Sequence, residues 1–275
     1  MAADAYTPYG ELIENLGLDS PLFEKGSAYP SYNQLEALLS LAAVAGKSAQ
    51  SGDVARALDM WIAAELRRAG FAPDAIWPRS VMPRALDPSV LSFIQKMTPA
   101  VAEKCCRDLP ERYKSTTVSV MGAAYAKQVD VGMATWPSGP EILISTKTMA
   151  SSFGKNMANR FEEAYGDAKN LKSRHPFAAV GFAFLVHADI LNEPGAFAKA
   201  VSMLEKLQAE RDVYDAVCLM VAAWDDSGAR VVRPCAGVPD DLFAERFFSR
   251  IVKLTLSHAS PDVHMATRKQ LGTAL

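Results

Sequence analysis

Two stretches of this chain are almost unbroken in apolar character: Ala178 to Val186 (Ala-Ala-Val-Gly-Phe-Ala-Phe-Leu-Val) and Tyr214 to Ala222 (Tyr-Asp-Ala-Val-Cys-Leu-Met-Val-Ala). A strand with one wet face alternates apolar and polar residues, so runs this continuous suit strands buried on both faces. Helical patterns surround them. From Ser151 to Leu171 the residues Phe153, Met157, Phe161, Ala164, Ala168 and Leu171 follow helical spacing, and a second helix is expected from Ala196 to Glu210. With a helix from Pro99 to Leu109 and a strand near Thr117 to Met121, the succession is a mixed α/β layer pattern.

Between those elements lies a hairpin. Two apolar runs between Gln128 and Lys147 flank the turn Trp136-Pro-Ser-Gly-Pro140, whose residues close such connections. Alternation puts Glu141, Leu143, Ser145 and Lys147 on one face of the second strand and Ile142, Ile144 and Thr146 on the other. The first strand carries Asp130, the second ends at Lys147, and the following helix brings Glu162 and Glu163. At about 100° per residue, Glu163 falls beside the apolar stripe, on a polar flank with Asn156, Arg160 and Asp167, whereas Glu162 points away from the core. The wheel therefore favours Glu163 of the two.

These residue types share a chemistry. Hydrolysis of a phosphodiester requires charge stabilisation on the phosphoryl and leaving oxygens together with an activated water. A hard divalent cation does both when one or two carboxylates hold it and leave positions open. A lysine ammonium beside the scissile phosphate completes a preorganised clamp.

The arrangement resembles the PD-(D/E)XK nuclease superfamily, in which an acid on one strand is followed, after a hairpin turn, by an acid, any residue and lysine on the next. Asp130 and Lys147 match this pattern, while Ser145 stands where the second acid belongs. A subgroup of type II restriction endonucleases has serine there and takes the missing carboxylate from the following helix, where Glu162 and Glu163 fall. The order of elements over about half the chain agrees with the superfamily core. The resemblance implies a restriction-endonuclease-like mixed sheet flanked by helices and a Mg²⁺-dependent DNA endonuclease. Asp130 and Glu163 would then ligate the metal, with the Thr146 carbonyl as a further ligand, and Lys147 would act on the water and the phosphate. It also leaves open a repair or junction nuclease, and a silent nuclease fold that binds DNA or builds an assembly.

A chain of 275 residues, 49% hydrophobic and 22% charged, is large enough for a substantial core and for two domains. Residues 1–96 read as an α-helical region, with amphipathic helices at Leu35 to Val44 and Asp53 to Arg67 and no competing strand pattern. It could dock on the core, recognise DNA or build a dimer; residues 97–275 read as the nuclease core. The net charge of −2 argues against a nonspecific nucleic-acid coat, so contacts to duplex DNA are expected from local groups: Arg79 and Arg84 in a proline-rich loop, and Lys155, Asn156 and Arg160 on the glutamate helix. Cutting both strands with one site per chain suggests a homodimer or a dimer of dimers. No phosphate-binding glycine loop appears, so no nucleotide cofactor is expected. No apolar run reaches membrane-spanning length, and Met-Ala-Ala-Asp-Ala-Tyr lacks the features of a secretory signal, so the expected location is cytoplasmic. Four cysteines without zinc-type spacing suggest neither a disulfide nor zinc, and the histidines His175, His187, His258 and His264 read as structural.

Overall fold

The structure, a computed structural model, describes residues 4–17, 20–45, 52–113, 117–210 and 212–273; the side chains of Ala45 and Lys155 fall outside the described set. In chain order come α1 (Thr7–Leu16), β1 (Phe23–Glu24), β2 (Ser27–Ala28), α2 (Tyr32–Ala45), α3 (Asp53–Arg68), β3 (Ile76–Trp77), α4 (Pro88–Gln95) and α5 (Pro99–Arg112). Then follow β4 (Val118–Met121), β5 (Ala126–Val129), β6 (Val131–Thr135), β7 (Gly139–Met149), α6 (Phe153–Arg174), β8 (Ala179–His187) and α7 (Pro194–Ala209). The described chain closes with β9 (Ala216–Asp225), β10 (Gly228–Val231), α8 (Ala244–His258) and α9 (Met265–Leu271).

The two apolar runs are β8 and β9, adjacent inside a six-stranded mixed sheet of order β10-β9-β8-β7-β6-β3. Strands β7, β8 and β9 are parallel, and β6, β3 and β10 run antiparallel to their neighbours. Both faces of the centre are covered, which is why polar alternation is missing there. One face of β8 sends Val180, Phe182, Phe184 and Val186 into a cluster with Phe153, Met157, Ala164 and Ala168 of α6 and Ala200, Leu204 and Leu207 of α7. The other sends Ala179, Ala183 and Leu185 into a cluster with Leu35 and Leu39 of α2, Leu58, Trp61 and Ile62 of α3, and Phe247 and Ile251 of α8. Small residues on that second face let α8 approach closely: a Cβ at Gly181 would lie 3.0 Å from both Phe247 and Ile251.

Helices α2 and α3, from the region expected to be purely helical, share this core with the sheet. Besides the short β1/β2 ladder, which also falls within the first 96 residues, two features depart from the sequence reading. The first is β3, a strand within the first 96 residues, which occupies the sheet edge next to β6 through the pairs Ile76–Met133 and Trp77–Gly132. The second is the strand expected at Thr117 to Met121. It forms β4 but pairs only with β5 in a separate two-stranded ladder. Burial accounts for both: Ile76 and Trp77 are buried, whereas along β4 only Val120 is, too little apolar surface to hold a place in a covered sheet. Among the described residues no helix is long and apolar enough to cross a membrane.

Candidate active site at a strand fork

The β6/β7 ladder ends at the pair Val131–Ile144. One residue earlier the chain arrives from β5, so beyond Ile144 strand β7 loses its partner on that side. Asp130 sits at this fork and supplies the missing acceptor: its Oδ2 takes a hydrogen bond from the Thr146 N–H at 2.8 Å. The N–H and C=O of a strand residue leave on the same side, so the Thr146 carbonyl faces the Asp130 side as well.

The two faces of β7 then diverge. Toward α6, the Lys147 ammonium lies 3.1 Å from Glu163 Oε1, and Arg160 Nη1 lies 3.1 Å from Glu163 Oε2. Partial burial alone would raise the Glu163 carboxyl; Lys147 and then Arg160 hold it below the usual range. Burial pushes the Asp130 carboxyl up, opposed by the Thr146 N–H and by the charges of Lys147 and Lys127. Asp130, Lys147 and Glu163 thus form one electrostatic cluster, and Glu162 is exposed on α6.

Toward α3, an acid not singled out from the sequence meets the same strand. Asp59 is 4% exposed; its Oδ1 accepts from Thr146 Oγ1 at 2.6 Å and its Oδ2 from the Tyr6 hydroxyl at 3.0 Å. The readable signal was a carboxylate inside the run Leu58-Asp-Met-Trp-Ile62, with apolar neighbours on both sides and no polar face to occupy. Burial first, and the nearby Asp130 charge second, push its carboxyl up to about 8. The sign of the consequence follows. Between the unfolded value of 3.8 and about 8 the folded chain holds more protons than the unfolded one, so stability falls as pH rises through that window and levels off above it. Asp59→Asn should remove this slope, giving a stability advantage that grows to the order of a few kcal/mol between about pH 5 and pH 8. Urea unfolding at a series of pH values checks it; an advantage independent of pH would refute the assignment.

Other candidates are placed differently from expectation. Ser145 is 4% exposed beneath Lys147 and bonds the Tyr214 hydroxyl, which in turn donates to the Ala164 carbonyl at 2.9 Å; it braces the strand against α6 and does not face solvent. Asp167, read as part of a polar ridge, is buried 2.5 Å from Lys127 Nζ and accepts from the Tyr125 hydroxyl. Asn156 and Arg160 are exposed on α6, Arg160 paired with Glu163, and the Lys155 side chain lies outside the described residues. His264 is held at 2.6 Å by Glu141, near the opposite end of β7.

The proline-rich loop requires a correction. Arg79 and Arg84, expected to line a DNA groove, are 7% and 2% exposed. Arg79 bonds Asp74 and the Pro83 carbonyl. Arg84 bonds Asp4, Thr7 Oγ1 and the carbonyls of Arg79 and Ser80. Planar guanidinium forks satisfy many acceptors at once, and here they staple the loop and the N-terminal segment together instead of facing a phosphate.

The donors at the fork are all oxygen, as a hard divalent cation prefers. Among the described residues no group of three or more histidines, cysteines or acids gathers to hold a metal. A cation here would therefore take one or two carboxylates and a carbonyl from the protein and its remaining ligands from water or a phosphate, a pattern typical of Mg²⁺. The chain matches no family model, no curated protein and no solved structure.

Proposed function

We propose that this chain is a Mg²⁺-dependent endodeoxyribonuclease of the type II restriction-like kind, built on a restriction-endonuclease-like core and acting on double-stranded DNA as a homodimer or dimer of dimers. The observation that carries the reading is the convergence of Asp130, Lys147 and Glu163 at the strand fork, with the helix glutamate that faces Lys147 being the one favoured by the helical wheel.

Asp130, Glu163 and the Thr146 carbonyl are the groups that would hold magnesium, which when bound polarises the scissile phosphate and lowers the pKa of water. Hydrolysis joins a water oxygen to phosphorus, breaks one phosphorus–oxygen ester bond and leaves a proton on the departing oxygen. Lys147, fixed in direction by Glu163, offsets the charge that builds on the phosphoryl oxygens. The Thr146 N–H fixes the Asp130 carboxylate before substrate arrives, so little reorganisation is needed during reaction. Arg160 and Asn156, exposed on the same helix, would contact the DNA backbone together with Lys155.

Cleavage tests the reading. Duplex DNA, both modified and unmodified genomic preparations, should be cut in the presence of Mg²⁺ and spared when a chelator is added. Binding without cleavage across such substrates would replace the enzyme reading with that of a catalytically silent fold.

A further inference from the structure

Asp59 occupies a costly position. Its neighbours Leu58, Met60, Trp61 and Ile62 are fully buried, and a carboxylate there loses its hydration. What Asp59 does is visible in its contacts: it holds the Thr146 hydroxyl at 2.6 Å from the α3 side, while the N–H of the same residue holds Asp130 at 2.8 Å. The next residue is Lys147. One threonine thus joins the helical layer, the strand-fork acid and the lysine.

We propose that Asp59 is a positioning residue: by anchoring the Thr146 hydroxyl from the opposite face of the sheet, it fixes the peptide that orients both Asp130 and Lys147. Tyr6 supports it, donating to the other carboxylate oxygen at 3.0 Å. The role in turnover rests on the nuclease reading above; the anchoring itself does not.

The test is a double-mutant cycle on the full chain, with linear duplex DNA and Mg²⁺. Thr146→Val keeps the backbone and shape but removes the hydroxyl; Asp59→Ala removes its acceptor. Each should lower kcat about tenfold or more with KM changed less than about threefold, because a small misplacement costs turnover before binding. The double variant should be no slower than the slower single, since both cut one link, and Thr146→Ser should return kcat to within about threefold of wild type. Effects that multiply, or wild-type turnover in Thr146→Val, overturn the proposal. Amide hydrogen exchange reads the anchor without any activity: the Thr146 amide should exchange faster relative to other β7 amides in both Asp59→Ala and Thr146→Val. If the wild type cuts no DNA, the nuclease reading fails and exchange alone decides the anchor. If it cuts but neither kcat nor exchange responds, the anchor fails and the nuclease reading stands.

Discussion

Lys147→Ala is expected to lower DNA cleavage by about 10²- to 10³-fold, the loss typical of one preorganised charge-stabilising group. DNA affinity should change little, because the ammonium acts on charge that develops during reaction and not on the bound ground state. The fold should survive. Among the described residues the ion pair broken is with Glu163, whose side chain is 41% exposed, and pairs that open to solvent contribute about 1 kcal/mol or less. Asp130→Asn should lower cleavage comparably while keeping an oxygen acceptor for the Thr146 N–H, so the fork is retained as the charge is removed. Single-turnover cleavage beside equilibrium DNA binding separates the two effects. A Lys147→Ala protein that cuts at the wild-type rate would place the active site elsewhere.

Arg84→Ala should cost about 3 kcal/mol of stability, in the range seen when one partner of a buried pair is removed. Truncation leaves Asp4 without its guanidinium and strips donors from the Arg79 and Ser80 carbonyls and from Thr7. It also empties a site that is 2% exposed. At low temperature, where the variant remains folded, its DNA affinity and the salt dependence of that affinity should match wild type, since no phosphate reaches a buried side chain. Denaturant unfolding and a salt titration of DNA binding measure both. Unchanged stability with weaker, less salt-sensitive binding would restore the loop as a DNA contact.

The parts of the fold legible in the sequence were those dictated by local periodicity. Strands β7, β8 and β9 were readable because their side-chain patterns state which faces are covered, and α6 and α7 because their apolar stripes are continuous. Glu163 could be separated from Glu162 by the same reasoning, since one helical step of 100° decides which of two neighbours faces the sheet edge. What stayed hidden depended on partners far along the chain. Asp59 meets Thr146 across 87 residues, and Arg84 meets Asp4 across 80, so no local pattern marks either contact. The edge strand β3 is only two residues long, too short for alternation to register. Arginines clustered in a proline-rich loop looked like a surface feature because most of their acceptors, backbone carbonyls together with Asp4 and Thr7 far along the chain, leave no local trace in residue type.

If this strand fork hydrolyses DNA with a divalent cation, a single time course will show it. Duplex DNA is incubated with Mg²⁺ and wild-type protein, chelator is added midway, and Lys147→Ala protein purified in the same way runs in parallel. Product should accumulate until the chelator stops it, with the variant at least about 100-fold slower. Absence of wild-type product, or product formed equally by both proteins, would contradict it.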